Sequence, residues 1–360
     1  MTKDHAEMKL HRMLPALLAT QFLLSPGAAY ASAGGADPTD QFLAGEFLNV
    51  GINQYGALGS SGFAPVGFHA RSSSASPWST DGSDRLGITY DQGLDGWGVG
   101  RDIGDLFMAG APFEGFALSV ESVSAWNTGN GTWDLGPGTF TESDASSATW
   151  VQNTPFMGVQ LTQRFDVSPT SNQLYITITL KNVSDANIAN IYYTRCIDPD
   201  TIEPEAEGVL TTSNAVIGTF GVEGYAAAWA QSPDETLPAD LGLWSYAPTA
   251  RAHIDCSNPV DDYAGPGTGQ TEYVDADTNI GITVYNELLA PGDEIEFVIG
   301  YGMSLTAIAP PPPPDLPETQ KEMSLLIVTV QSLLMIMVAA FAYWLAERAL
   351  EPELDGRDAD

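Results

Sequence analysis

Between Gly34 and Ile308 apolar residues recur at every second position, and Gly or Pro interrupts them before any longer pattern can form. Leu174, Ile176, Ile178 and Leu180 alternate with Tyr175, Thr177, Thr179 and Lys181, which predicts a strand with one dry and one wet face. Val159, Leu161 and Phe165 share a face in the preceding run, with Gln163 the exception. The intervening Ser168-Pro169-Thr170-Ser171-Asn172 is turn chemistry, so residues 158–181 read as a hairpin. Ile295, Phe297, Ile299, Tyr301, Met303 and Leu305 alternate again, after a turn at Ala290-Pro291-Gly292-Asp293 and an earlier strand around Ile280 to Tyr285. No apolar stripe of helical period persists before residue 320. The expected fold is therefore all-β: a large antiparallel β-sandwich, either one large unit or two smaller ones, filling residues 34–308.

The ends of the chain break this pattern. Lys3, Lys9 and Arg12 precede the apolar run Met13 to Leu24, and Ala31-Ser32-Ala33 supplies a signal-peptidase pattern, so residues 1–33 read as a cleaved signal peptide. Residues 309–322 form a Pro-rich stalk, with Pro310 through Pro314 consecutive. A polyproline II rise of roughly 3.1 Å per residue lets the stretch from Ala309 to Gln320 extend up to about 35 Å. Met323 to Leu345 carries no charge and at ~1.5 Å per residue reaches about 34 Å, enough for a C-terminal transmembrane helix. Residues 346–360 then form a short acidic cytoplasmic tail. The expected placement is a single-pass protein of the cytoplasmic membrane. Its N-terminal domain is extracytoplasmic, periplasmic or at the cell surface, and its C-terminus is cytoplasmic.

Charge excludes some partners. With 46 acids against 13 bases the formal net charge is −33, a surface that repels phosphate backbones and rules against nucleic acid. Cys196 and Cys256, the only cysteines, lie in the exported part and predict one disulfide.

Two acidic segments qualify as hard-cation sites. Asp91, Asp95 and Asp102 fall on positions 1, 5 and 12 of a calcium-type loop, with Gly96 at its sharp turn. Asp198 and Asp200 form a second candidate pair, either ligating a cation or working as paired carboxylates, while Arg195 is expected to bridge one of them. No cofactor is expected beyond this candidate Ca²⁺. Trp126 and Trp133 flank the polar turn Asn127-Thr128-Gly129-Asn130-Gly131-Thr132, an arrangement suited to stacking on a glycan. Within the span, Gln331 is costly to leave facing lipid, and Ala342 and Ala346 offer a small-residue contact, so a membrane-protein partner is expected there and at the ectodomain.

After signal cleavage only His69 and His253 remain, and no zinc-protease, nucleophile-elbow, P-loop or dinucleotide motif is present. The reading is thus a non-enzymatic accessory subunit docking its β-domain on a membrane complex. A carbohydrate-binding or adhesive module is the alternative, and a carboxylate-pair glycoside hydrolase stands behind it.

Overall fold

The structure, a computed structural model, describes residues 39–70, 80–91, 94, 97, 105–108, 112–200, 212–218, 225–231, 240–264 and 273–303. The signal peptide, the stalk, the span with Gln331, Ala342 and Ala346, and the tail lie outside the described residues, as do Asp95, Asp102 and Leu305. Among the described residues no helix is long and apolar enough to cross a membrane.

Strands β1 (Gln41–Ala44), β2 (Leu48–Ile52) and β3 (Ile88–Tyr90) make a three-stranded sheet in that order. Strands β4 (Glu114–Val120) and β5 (Val123–Thr128) form a hairpin, and β6 (Gly138–Ser143), β7 (Ser147–Gln152), β8 (Val159–Val167) and β9 (Gln173–Asn182) form a meander. Next come β10 (Ile188–Ile197), β11 (Thr212–Gly218), β12 (Ala226–Gln231), β13 (Leu241–Ser245) and β14 (Ala250–Ile254). A short helix α1 (Pro259–Ala264) precedes β15 (Tyr273–Ala276), β16 (Ile280–Leu289) and β17 (Glu294–Gly302). The five-stranded sheet runs β14-β16-β10-β4-β5, and the nine-stranded sheet runs β15-β11-β12-β13-β17-β9-β8-β7-β6. Every strand pairing is antiparallel, so the all-β antiparallel expectation holds.

Burial follows the two-residue period where one face is wet. Along β8 the buried positions are Val159, Leu161, Gln163, Phe165 and Val167, and along β9 Leu174, Ile176, Ile178 and Leu180 turn to the same core. Burying each such aliphatic side chain stabilises by about 1.5–3 kcal/mol. The inner strand β4, between β5 and β10, is buried along its whole length. The turn at Ala290–Asp293, with Gly292 at φ 82°, carries the chain from the smaller sheet to the larger one rather than closing a hairpin. One apolar core cluster draws residues from all three sheets.

The polar exception in β8 now has a reason. Gln163 is fully buried, and its Oε1 accepts from Arg195 Nη1 at 2.6 Å and from the Tyr193 hydroxyl at 2.9 Å. Arg195 does not bridge Asp198 or Asp200, as its position in the sequence suggested. Alternation along β10 sends it inward, where Nε lies 2.7 Å from Glu114 Oε1 with both side chains at 0% exposure. Glu114 also accepts from the Tyr301 hydroxyl at 2.8 Å and from the Leu58 N–H at 2.6 Å. The guanidinium sits between the rings of Phe116, Phe165 and Tyr301, 5.5–5.9 Å from their centroids. Burial works against the Arg195 charge, and Glu114 outweighs it. This network ties both large sheets and the Leu58 loop together through the core.

Candidate active site

The chain leaves the five-stranded sheet at the end of β10. Pro199 has no N–H to continue a ladder, so the strand stops and residues 198–200 lie against another segment. There the Asp198 N–H donates to Phe113 O at 2.8 Å and the Asp200 N–H to Leu106 O at 2.6 Å. Two residues earlier, Cys196 bonds Cys256 across a Cα–Cα distance of 6.4 Å, as expected from the sequence. His253 lies beside this disulfide, its Nδ1 3.8 Å from Cys256 Sγ and its Nε2 2.9 Å from the Thr283 hydroxyl. Burial pushes its imidazole down to about 4, so it is neutral at neutral pH. Cys196, His253 and Cys256 are close enough to suggest a metal site, but sulfurs bonded to each other are not thiolate ligands. Gly281 is required here, since a Cβ would meet His253 Cε1 at 2.4 Å and both sulfurs at 2.8 Å.

Four carboxylates descend from solvent into the protein at this corner. Asp277 is exposed, Asp198 is half-buried, Asp200 is 7% exposed and Asp105 is buried. Asp105 organises the innermost level: Oδ2 accepts the Gly87 N–H at 2.6 Å, and Oδ1 accepts those of Ile88, Phe107 and Met108 at 3.1–3.3 Å. Burial raises its carboxyl to about 7 against the pull of those four donors. Asp198 is raised to about 6, first by burial and then by the charge of Asp277. Asp200 is raised to about 8, first by burial and then by Asp198, Asp277 and Asp105. At pH 7 the proton thus favours Asp200 and the charge Asp198, a division made by burial and by the charges of Asp198, Asp277 and Asp105 acting on Asp200.

The sequence singled out Asp198 and Asp200 but not the groups that tune them. Asp105 and Asp277 are 95 and 77 positions from Asp200 in no recognisable motif, and only the fold brings them alongside. The other candidate loop presents one described carboxylate. Asp91 is buried, and its Oδ2 accepts the Trp97 N–H at 2.7 Å in a turn where Trp97 takes φ 64°.

A groove of about 550 Å³ lies on the outer face of the nine-stranded sheet, with Arg164, Asp166, Tyr175, Thr177 and Glu296 in its lining. Arg164 is held by Asp166 through three contacts of 2.9–3.2 Å. Tyr175 meets Trp244 edge-on at 5.7 Å, and Trp244 meets Tyr246 at 5.5 Å. The tryptophans thus divide. Trp150 and Trp244 are buried at 0% and 2% exposure, whereas Trp133 is 50% exposed.

No protein-family model matches the chain. No curated protein matches it either. Solved structures do. A galactose mutarotase-like protein from Lactobacillus casei is similar at TM-score 0.36 and 8% identity, over 74% of this chain and 100% of the other. A homologue of aldose epimerase from C. elegans is similar at TM-score 0.34 and 14% identity, over 74% and 99%. A galactose mutarotase related enzyme from Lactobacillus acidophilus stands at TM-score 0.33 and 8% identity, over 74% and 98%. The expectation of a non-enzymatic accessory subunit finds no counterpart among these structures, whose names are those of epimerases and mutarotases, and it is withdrawn together with the expectation that the chain is not an enzyme. At such TM-scores they transfer no residue and no reaction. The chemistry must be read from the carboxylates of this chain.

Proposed function

We propose that this protein is a carbohydrate-processing enzyme that works by proton transfer, with Asp200 as general acid and Asp198 as general base. The observation that carries the reading is the split within the pair: two carboxylates two residues apart, one raised to about 8 and the other to about 6. A protonated carboxyl beside an ionised one is the arrangement that gives and takes protons at neutral pH. Hydroxyl and ring oxygens of a sugar are groups that such a pair serves. A neutral polyol also suits a chain of net charge −33, which disfavours anionic substrates. Asp105 positions the loop beneath the pair, and Asp277 raises the proton affinity of both members.

The sequence supports an exported site. In this reading the leader of residues 1–33 directs secretion, and the stalk 309–322 and span 323–345 hold the β-domain outside the cytoplasmic membrane.

The test is a panel of neutral mono- and oligosaccharides followed by NMR for anomeric exchange and bond cleavage. Asp200→Asn and Asp198→Asn should each lower the rate by roughly 10²–10⁴-fold, the usual contribution of one acid or base. The wild-type pH profile should be bell-shaped, with limbs near the two values above. Turnover unchanged in both variants would remove the assignment.

A further inference from the structure

From the geometry around Trp133 we infer a second carbohydrate-binding site: a stacking platform of Tyr55 and Trp133 that takes the apolar face of a neutral sugar ring. It deepens the proposed function by adding an aromatic subsite to the carboxylate pair, and it rests on that reading only for its link to turnover. The rings are 4.5 Å apart and 3° from parallel, and Trp133 keeps 50% of its surface exposed. With Tyr55 covering one face of the indole, the opposite face and edge are what solvent reaches.

An exposed tryptophan on a loose loop would mean little, but this one is held rigidly. Asn127, at 0% exposure, donates through Nδ2 to Tyr55 O at 2.9 Å and to Gly136 O at 2.8 Å. Its Oδ1 accepts the Leu135 N–H at 3.1 Å, so one buried amide clamps both strips that carry the rings. The turn between β5 and Trp133 is closed at each step. The Thr128 N–H donates to Thr132 O at 2.8 Å, the Thr132 N–H to Thr128 Oγ1 at 3.0 Å, and the Asp134 N–H to Trp126 O at 2.7 Å. Asn130 accepts the Thr128 hydroxyl at its Oδ1 at 2.6 Å, which fixes its side chain within the turn. A prearranged aromatic face limits the ordering cost of binding, and flanking amide and hydroxyl groups suit a polyol.

Size favours a sugar over a protein. A stable protein interface buries about 800 Å² on each partner. Here Asn130, Gly131, Thr132 and Asp134 surround the indole with exposed small and polar residues. No apolar field extends from it along the turn.

Isothermal titration of the detergent-solubilised full chain with cello-, malto-, xylo- and chito-oligosaccharides tests the site. At least one series should bind, Trp133→Ala should weaken it about tenfold, within the range of an aromatic contact, and Trp133→Phe should restore part of the loss. Asn127→Ala, which leaves both rings present but unclamped, should weaken the same ligand. Circular dichroism and the melting temperature establish that each variant is folded. Binding that is equal in wild type, Trp133→Ala and Asn127→Ala overturns the site, as does the absence of binding in every series. Binding lost in Trp133→Ala but kept in Asp200→Asn supports it even if no sugar is turned over. Turnover lost in Asp200→Asn with binding unchanged in Trp133→Ala leaves the enzymatic reading standing and sinks the platform.

Discussion

Glu114→Gln should be among the most damaging conservative changes in this protein, although it alters one side-chain atom. In the native core Glu114 accepts three hydrogen bonds, from Arg195 Nε, the Tyr301 hydroxyl and the Leu58 N–H, and supplies the only negative charge in contact with the buried Arg195 among the described residues. Glutamine keeps one acceptor oxygen and turns the other into a donor that faces a donor. The guanidinium remains buried and uncompensated, a situation that costs about 3–5 kcal/mol in comparable pairs. For a domain of this size 1 kcal/mol shifts the melting temperature by about 2–4 °C, so a fall on the order of 10 °C is expected. The control is Glu114→Leu combined with Arg195→Met. Removing both charges avoids the stranded cation, and the double variant should be more stable than Glu114→Gln. Urea and thermal unfolding with the disulfide intact measure both. A Glu114→Gln loss below about 1 kcal/mol, or a double variant less stable than the single, would refute the reasoning.

Two further outcomes are expected. Asp105, Asp198 and Asp200 have folded-state affinities raised to about 7, 6 and 8, so the native state holds protons that the unfolded chain releases. Their contribution is complete below an unfolded aspartate value of about 3.9 and is lost as pH rises through 6 to 8. His253, lowered to about 4, acts oppositely as pH falls below about 6.5. Unfolding free energy should therefore decline from about pH 4 and level off by about pH 8, and Asp200→Asn should flatten that decline in denaturant titrations. Replacing Cys196 and Cys256 with Ala should cost ~4 kcal/mol, the chain-entropy value for a loop of this length, given their separation of 60. An unchanged urea midpoint would show that the bridge constrains nothing.

Strands were legible because a half-buried strand must alternate. Leu174 to Leu180 and Phe297 to Met303 announce their inward faces without any knowledge of their partners. The disulfide was legible because two cysteines allow one pairing. Trp133 was legible as a candidate platform, but its state was not. Whether an indole is buried like Trp150 or half exposed on Tyr55 depends on what the fold lays over it.

The carboxylate site was half visible. Asp198 and Asp200 stand next to each other in the chain, and their residue types suffice to nominate them. Their working states do not follow from type, because a carboxylate's proton affinity is set by burial and nearby charge. Asp105 and Asp277 reach them from distant segments, and Pro199 only redirects the chain toward that meeting.

The same division explains the error over Arg195. Sequence proximity paired it with Asp198 and Asp200, yet alternation along β10 turned it into the core toward Glu114, on the neighbouring strand β4. Local sequence alone determined the antiparallel β-character, the single cross-link and the acidic surface, since each depends on residue type and near-neighbour spacing. Tertiary structure decided which polar groups are buried, which partner each one meets and which carboxyl keeps its proton. Those outcomes depend on dielectric and distance between residues far apart in the chain, and no local pattern encodes either.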